Sequence, residues 1–439
     1  MMKASLLSTT LLTSLLFLPA LDAQESKPQT KHNQAVIDFY PQVMNANPPM
    51  PADLSQRFIS CPISTRQKLT VQPDYKTSAQ VDYQHSGWEK RISADWTFFS
   101  PDEEQGKVLV IDFANVADGL AYRYLANANT EDQLYEPWSS SKIMAFTAAV
   151  AKAREQGVGA MSKAGETHLA DLITSINSYA PFGQADGNSN AIATYLLNIT
   201  GRDRATALFH DDWLKLANAK VRFRGAYEVE LFKPATPYWY SLNSDNKASM
   251  PELEKNSDDP GYQSYRCEEC GLTGNKPMTT LAQAEWLKRL ASHERDKLTR
   301  QPGLEAEDIQ VLFYGTGHTD TDHQVGGMMQ GISTMLQHAL ADAISGKSGS
   351  DPKTVLDQAT NGQWRTWQKI GWGPSGTRGT GENVVLAHVC LPDYQGGREF
   401  TVAAQASYPG DEDIMVNYAG MKIQAILNTS MQQLLSNTP

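Results

Sequence analysis

Strand-like segments sit far apart in this 439-residue chain, with helix-like segments and loops between them. Residues 107–113, Lys-Val-Leu-Val-Ile-Asp-Phe, have the β-branched and aromatic content of a strand, and residues 119–125 read as its hairpin partner. The next strong strands, residues 384–391 and 400–406, come only near the C-terminus and are followed by a closing helix over residues 414–435. Between the two groups, apolar residues recur at helical spacing over residues 142–156, 190–198, 202–216, 279–291 and 331–344. Hairpins at opposite ends of a chain share a core most simply when the ends come together in one sheet. The expected fold is therefore α/β: an antiparallel sheet flanked by helices, with an inserted all-helical lobe. Residues 225–271, rich in Pro and Asn and without a period, read as a long surface loop or insertion.

The first residues form a separate segment. Lys3 precedes an apolar run over residues 6–18, and small residues follow at Ala20 and Ala23. This is the pattern of a secretory signal peptide cut near residue 23, and the run falls short of the roughly 20 apolar residues of a membrane span. The expected organisation is a signal peptide over residues 1–23, an N-terminal extension of unknown role over residues 24–100, and one domain over residues 101–439. No later segment is apolar enough to cross a bilayer, so no membrane span is expected and the location is periplasmic or secreted. A net charge of −11 without a basic cluster excludes nucleic acid as a partner. Four cysteines, Cys61, Cys267, Cys270 and Cys390, allow up to two disulfides in an exported chain, and three pairings are open. Cys267-Glu-Glu-Cys270 is also compatible with half a zinc site or a redox pair, although no second ligand pair lies nearby. The loop from Gly315 to His323 gathers two His and two Asp, but at a spacing unlike a familiar metal frame. No metal or cofactor is expected.

Chemistry is carried first by Ser139-Ser140-Ser141-Lys142 at the head of the helix over residues 142–156. A Ser and a Lys three apart on a helix share a face, so the amine can take the hydroxyl proton if its own pKa is lowered. The helix N-terminus adds backbone N–H groups able to stabilise an oxyanion. By itself the pattern is equally that of a capping serine with a solvated lysine.

The strand pair, the polar turn at residues 127–130 and Trp138-Ser-Ser-Ser-Lys-Ile143 ahead of an apolar helix together resemble the nucleophile region of class A β-lactamases and penicillin-binding proteins. That family carries Ser-x-x-Lys, Ser-Asp-Asn and Lys-Thr-Gly in this order. Asn188-Ser189-Asn190 before a helix resembles the second element. Asn190 falls on the substrate-binding Asn, while Asn188 stands where the family has a proton-relaying serine and cannot do that work. Ser189 substitutes for it if the loop shifts by one residue. Lys369-Ile370-Gly371 before the strand at 384–391 resembles the third element. Lys369 falls on the lysine that faces the substrate carboxylate, Gly371 lines the site, and Ile370 replaces a hydroxyl residue. Arg378 is the candidate to replace that lost donor. Glu228, in Tyr227-Glu-Val-Glu-Leu-Phe232, falls on the carboxylate that activates the deacylating water, with Phe232 in place of an Asn.

The resemblance implies an exported serine hydrolase acting through an acyl-enzyme on an amide or ester, either a β-lactam or a small-molecule or peptide substrate derived from cell wall. Its rival is a binding protein that keeps the fold and has lost turnover. Asn188 favours the rival; the pair Ser139 and Lys142 favours the enzyme.

Overall fold

The sheet is continuous and draws its strands from both ends of the chain, as the strand distribution requires. The computed structural model describes residues 32–63, 75–116, 119–223, 232–252, 277–319 and 325–436. Four strands come early: β1 (Lys76–Thr77), β2 (Ala94–Phe99), β3 (Lys107–Val116) and β4 (Gly119–Asn127). Four short ones, β5 (Ser162–Ala164), β6 (Thr167–His168), β7 (Tyr238–Ser241) and β8 (Lys247–Ser249), form a separate small sheet. Three close the main sheet: β9 (Arg365–Ser375), β10 (Thr380–Leu391) and β11 (Arg398–Pro409). Its order is β1-β4-β3-β11-β10-β9, with β2 also paired to β4. All pairings are antiparallel except β2 with β4. The β3–β11 pairing is the junction that joins the two ends of the chain.

Both faces of the sheet are covered, so its strands bury successive residues to opposite sides. Along β10, Val384 and Leu386 enter one core, while Val385, Ala387 and Val389 enter the other. After two short N-terminal helices, α1 (Gln34–Phe39) and α2 (Ser78–Val81), the first core lies under α3 (Lys142–Arg154), α4 (Leu169–Ser178), α5 (Ser189–Thr200), α6 (Arg202–Thr206), α7 (Thr280–Ala291) and α8 (Ala306–Tyr314). The second lies under α9 (Met335–Ser345) and α11 (Asp413–Ser436), with α10 (Pro352–Thr360) beside them. The fold is thus an antiparallel sheet flanked by helices with a helical lobe, as the sequence predicts.

The helices differ from expectation in detail. The helix expected over residues 331–344 starts at Met335, because Gly331 runs against the Gln368 backbone and Ser333 takes a positive φ of 94°. The helix expected over residues 202–216 is α6 followed by a wider, π-helical segment, Ala207–Leu214. The described part of the expected loop, residues 232–252, holds the β7–β8 hairpin.

The described residues from Gln34 to Ser436 belong to one compact unit, and the boundary expected near residue 100 falls inside it. Residues 75–99 complete the core rather than precede it. Helix α7 is buried on every side, and its polar face presents Glu285, Lys288 and Arg289 to Tyr83, Tyr122 and Tyr124. Arg289 Nε donates to Glu285 at 2.6 Å, the Tyr124 hydroxyl donates to it at 2.7 Å, and the Lys288 amine lies 3.7 Å above the Tyr122 ring. Buried charges need such partners, and Tyr83, from the segment read as an extension, hydrogen-bonds Tyr124.

A disulfide ties the same region to the sheet. Cys61 pairs with Cys390 on β10, and both are buried. Cys267 and Cys270 lie outside the described residues. The bridge closes a loop with a sequence separation of 329 residues, so the chain-entropy model puts its contribution at roughly 6 kcal/mol, above the usual range. Urea unfolding of a Cys61→Ser/Cys390→Ser variant is expected to show a loss of that order. A loss under about 1 kcal/mol would mean that the unfolded chain gains little from release of the link. Among the described residues no helix is long and apolar enough to cross a membrane.

Candidate active site

Ser139 lies in a single 3-10 turn, Trp138–Ser141, that leads into α3. The three serines of this turn are not equivalent. Ser140 is fully buried, donating to the Pro137 carbonyl at 2.6 Å and accepting from Gln283 Nε2 at 2.8 Å. Ser141 donates to the Trp138 carbonyl at 2.9 Å. Ser139 alone of the three is partly exposed. The turn rests on strand β9: a β-carbon on Gly371 would stand 2.5 Å from the Ser139 amide nitrogen and 2.6 Å from that of Ser140. Only glycine allows that approach, which brings the first backbone amides of the helical turn against the strand.

Lys142 is 1% exposed. Its amine donates to Ser189 Oγ at 3.0 Å and to Asn190 Oδ1 at 2.5 Å. Both partners stand at the start of α5, where Asn188 is the N-cap and its side chain accepts from the Ala191 N–H at 3.0 Å. Asn188 is thereby occupied with capping, and Ser189 is the hydroxyl that meets Lys142. Ser189 Oγ donates onward to the Ile176 carbonyl at 3.0 Å.

Lys369 reaches the same carbonyl from β9 at 2.8 Å and is fully buried. Burial, and then the neighbouring charge of Lys142, push its amine well below the ordinary lysine value. The Tyr179 ring lies 3.7 Å from the Lys369 amine and 5.2 Å from that of Lys142, and its hydroxyl donates to the Ile370 carbonyl at 3.0 Å. The last turn of α4 and Tyr179 therefore assemble the two lysines and Ser189 around one helix carbonyl. Sequence reasoning missed this helix. Its signal was present: Leu169, Leu172, Ile173 and Ile176 recur at helical spacing.

Because the folded Lys369 binds its proton less readily than the unfolded one, its burial penalty is largest at low pH and fades as pH rises toward the unfolded value of 10.5. The wild type is therefore expected to gain stability relative to Lys369→Met between pH 7 and pH 10 in urea titrations. A difference that does not change with pH would show that Lys369 is not depressed.

Ile370 points away from this cluster. It is buried in the second core, and its cross-strand partner Val385 lies there too. A side chain on that face of β9 cannot reach Ser139, which explains an apolar residue at this position. Arg378 is placed differently from the sequence reading. Its guanidinium grips Glu382, with Nε at 2.6 Å from Oε1 and Nη2 at 2.8 Å from Oε2. Glu228 lies outside the described residues, while Phe232 packs edge-on against Tyr195 of α5, 5.3 Å between ring centres. His318 lies edge-on to Phe182, the loop beyond it at residues 320–324 is outside the described set, and no metal-holding cluster of His, Cys, Asp and Glu occurs among the described residues.

No protein-family model matches the sequence, and no curated protein matches it either. Solved structures similar to it include a class A beta-lactamase from Mycobacterium abscessus, with 11% identity, 75% of this chain and 94% of the other covered, and a TM-score of 0.38. Another is a class A beta-lactamase from Bacteroides cellulosilyticus, with 13% identity, 76% and 94% covered, and a TM-score of 0.40. A third, described as PBP-A, has 10% identity, 86% and 100% covered, and a TM-score of 0.38.

Proposed function

We propose that the chain is an exported serine hydrolase in which Ser139 attacks a carbonyl and forms an acyl-enzyme. The observation that carries this reading is the setting of Lys142: an almost fully buried amine held between Ser189 and Asn190, one helical turn from a partly exposed serine. A neutral amine has two N–H groups and one lone pair. To act as the base Lys142 must be in this neutral form, with its N–H groups directed to Ser189 Oγ and Asn190 Oδ1 and its lone pair taking the Ser139 proton.

In the step that follows, Ser139 Oγ bonds to the substrate carbonyl carbon and the carbonyl electrons move onto oxygen. The Ser139 N–H, pressed against β9, is a donor for that oxyanion. Collapse breaks the bond to the leaving nitrogen or oxygen. The proton taken by Lys142 passes to the leaving atom through Ser189, which accepts from Lys142 and has a hydroxyl proton to give. Asn190 and Gly371 line the substrate cleft. Lys369 stands beside it as a source of positive charge when protonated, for a substrate that bears a carboxylate such as a β-lactam or a cell-wall peptide. Water activation by Glu228 belongs to the sequence resemblance.

Export is supported by the signal-like residues 1–23 and by the Cys61–Cys390 bridge, since disulfides persist in oxidising compartments. Intact-mass spectrometry after incubation with a fluorescent penicillin and with a fluorophosphonate tests the hydrolase reading. One adduct per chain, on the peptide that contains Ser139, is expected. A wild type that takes up neither probe would leave the binding-protein reading in its place.

A further inference from the structure

Trp138, immediately before the nucleophile, has a φ of +50°. A bulky side chain in the left-handed region is strained and persists only where its surroundings fix it. Several contacts do so here. The indole covers Gly373 of β9 so closely that a β-carbon there would overlap the ring. Its Nε1–H donates to Glu382 Oε2 at 2.7 Å. Glu382 is 4% exposed and stands on β10 directly across from Gly373. It is gripped by both arms of Arg378 and accepts from Thr380 Oγ1 at 3.0 Å. The Arg378–Glu382 pair, the indole and the strained residue thus form one continuous clamp, running from the β9–β10 ladder to the residue next to Ser139.

We propose that Glu382 is a positioning residue for the nucleophile: by holding the Trp138 indole it maintains the left-handed turn that sets Ser139 against Gly371 and Lys142. The inference rests on the assignment of Ser139 as nucleophile. Arg378 then acts through Glu382 rather than on the substrate. A carboxylate suits the task because it accepts from the indole and from a guanidinium fork at once, and each of these charge-assisted bonds is directional.

The test is the rate of fluorophosphonate labelling at saturating probe, together with the probe concentration that gives half that rate, after thermal melts establish folding. Misplacing a reacting atom by about 1 Å costs on the order of 100-fold in rate. Glu382→Ala and Trp138→Phe are each expected to lower the limiting rate by that order, with the half-saturating concentration changed less than about twofold, because the groups that contact the probe are untouched. Glu382→Gln keeps an acceptor oxygen for the indole and is expected to recover the rate to within about tenfold of wild type. The double variant should be no slower than the slower single one, since both break the same link. Should Glu382→Ala fail to fold, Trp138→Phe, which leaves the ion pair intact, and Glu382→Gln carry the test. Wild-type rates in Trp138→Phe and Glu382→Ala, or losses that multiply in the double variant, overturn the inference and leave the hydrolase reading standing. A wild type that never labels at Ser139 overturns that reading and this inference with it.

Discussion

Ser139→Ala is expected to abolish covalent labelling by penicillin and fluorophosphonate probes, and Lys142→Ala to slow it by about two to four orders of magnitude, the range in which general-base assistance operates. The two effects have different origins. The first removes the only atom able to form the bond; Ser140 and Ser141 cannot replace it, because both hydroxyls are tied to backbone carbonyls and Ser140 is sealed inside. The second leaves the nucleophile and removes its proton acceptor. Lys142→Ala also releases Ser189 and Asn190 from their shared donor, so its effect on folding has to be read separately by thermal melting. Ser140→Ala and Ser141→Ala should label with the same stoichiometry as wild type. Labelling that persists in Ser139→Ala, at any rate above that of the unfolded chain, would place the nucleophile elsewhere.

The sheet was legible in the sequence because its strands are long and fully buried on alternating faces. Val108, Val110, Val385 and Val402 are strand formers wherever they occur, and the closing helix followed from its period. Of the N-terminal region only the extended stretch Ala94–Phe99 was legible, and the rest was not, for a physical reason. Its strands are two and six residues long and lie beside β4, and its helices are short, so neither period has room to show. What fixes it is tertiary: the Cys61–Cys390 bridge and the cover that Tyr83 gives to the buried charges of α7. Pairing of distant cysteines has no sequence signature.

The site divides in the same way. Ser139 and Lys142 could be named from their spacing at a helix start, whereas Asn190, Lys369 and Gly371 were named only through the motif resemblance. The part played by Ile176 and Tyr179 could not, because it is made by a backbone carbonyl and a ring face, and neither is encoded in a motif. Arg378 was read for its charge alone. Its acidic partner was only four residues away, at the spacing of a helical ion pair, but here the two face each other across the β9–β10 turn and the start of β10.

Ser189→Ala and Asn188→Ala are expected to part company, and their contrast decides whether the relay has moved by one residue along the chain. Ser189 is 4% exposed, accepts from Lys142 and donates to the carbonyl that also receives Lys369, so it joins the two amines. Alanine at this position leaves Lys142 without one acceptor and the leaving group without its proton donor. Proton transfer by a positioned side chain contributes about 100- to 10,000-fold, so acylation by a substrate with a poor leaving group should fall by that amount. A fluorophosphonate, which expels fluoride without needing a proton, should lose much less. Asn188 instead caps α5 through its side chain, and Asn188→Ala should cost about 1 kcal/mol of stability while leaving both labelling rates near wild type. The ratio of the two probe rates is the measurement that separates relay from packing, because a distorted site slows both probes together. A selective loss in Asn188→Ala, with Ser189→Ala unaffected, would remove Ser189 from the relay and show that the cap of α5 sets the geometry of the site instead.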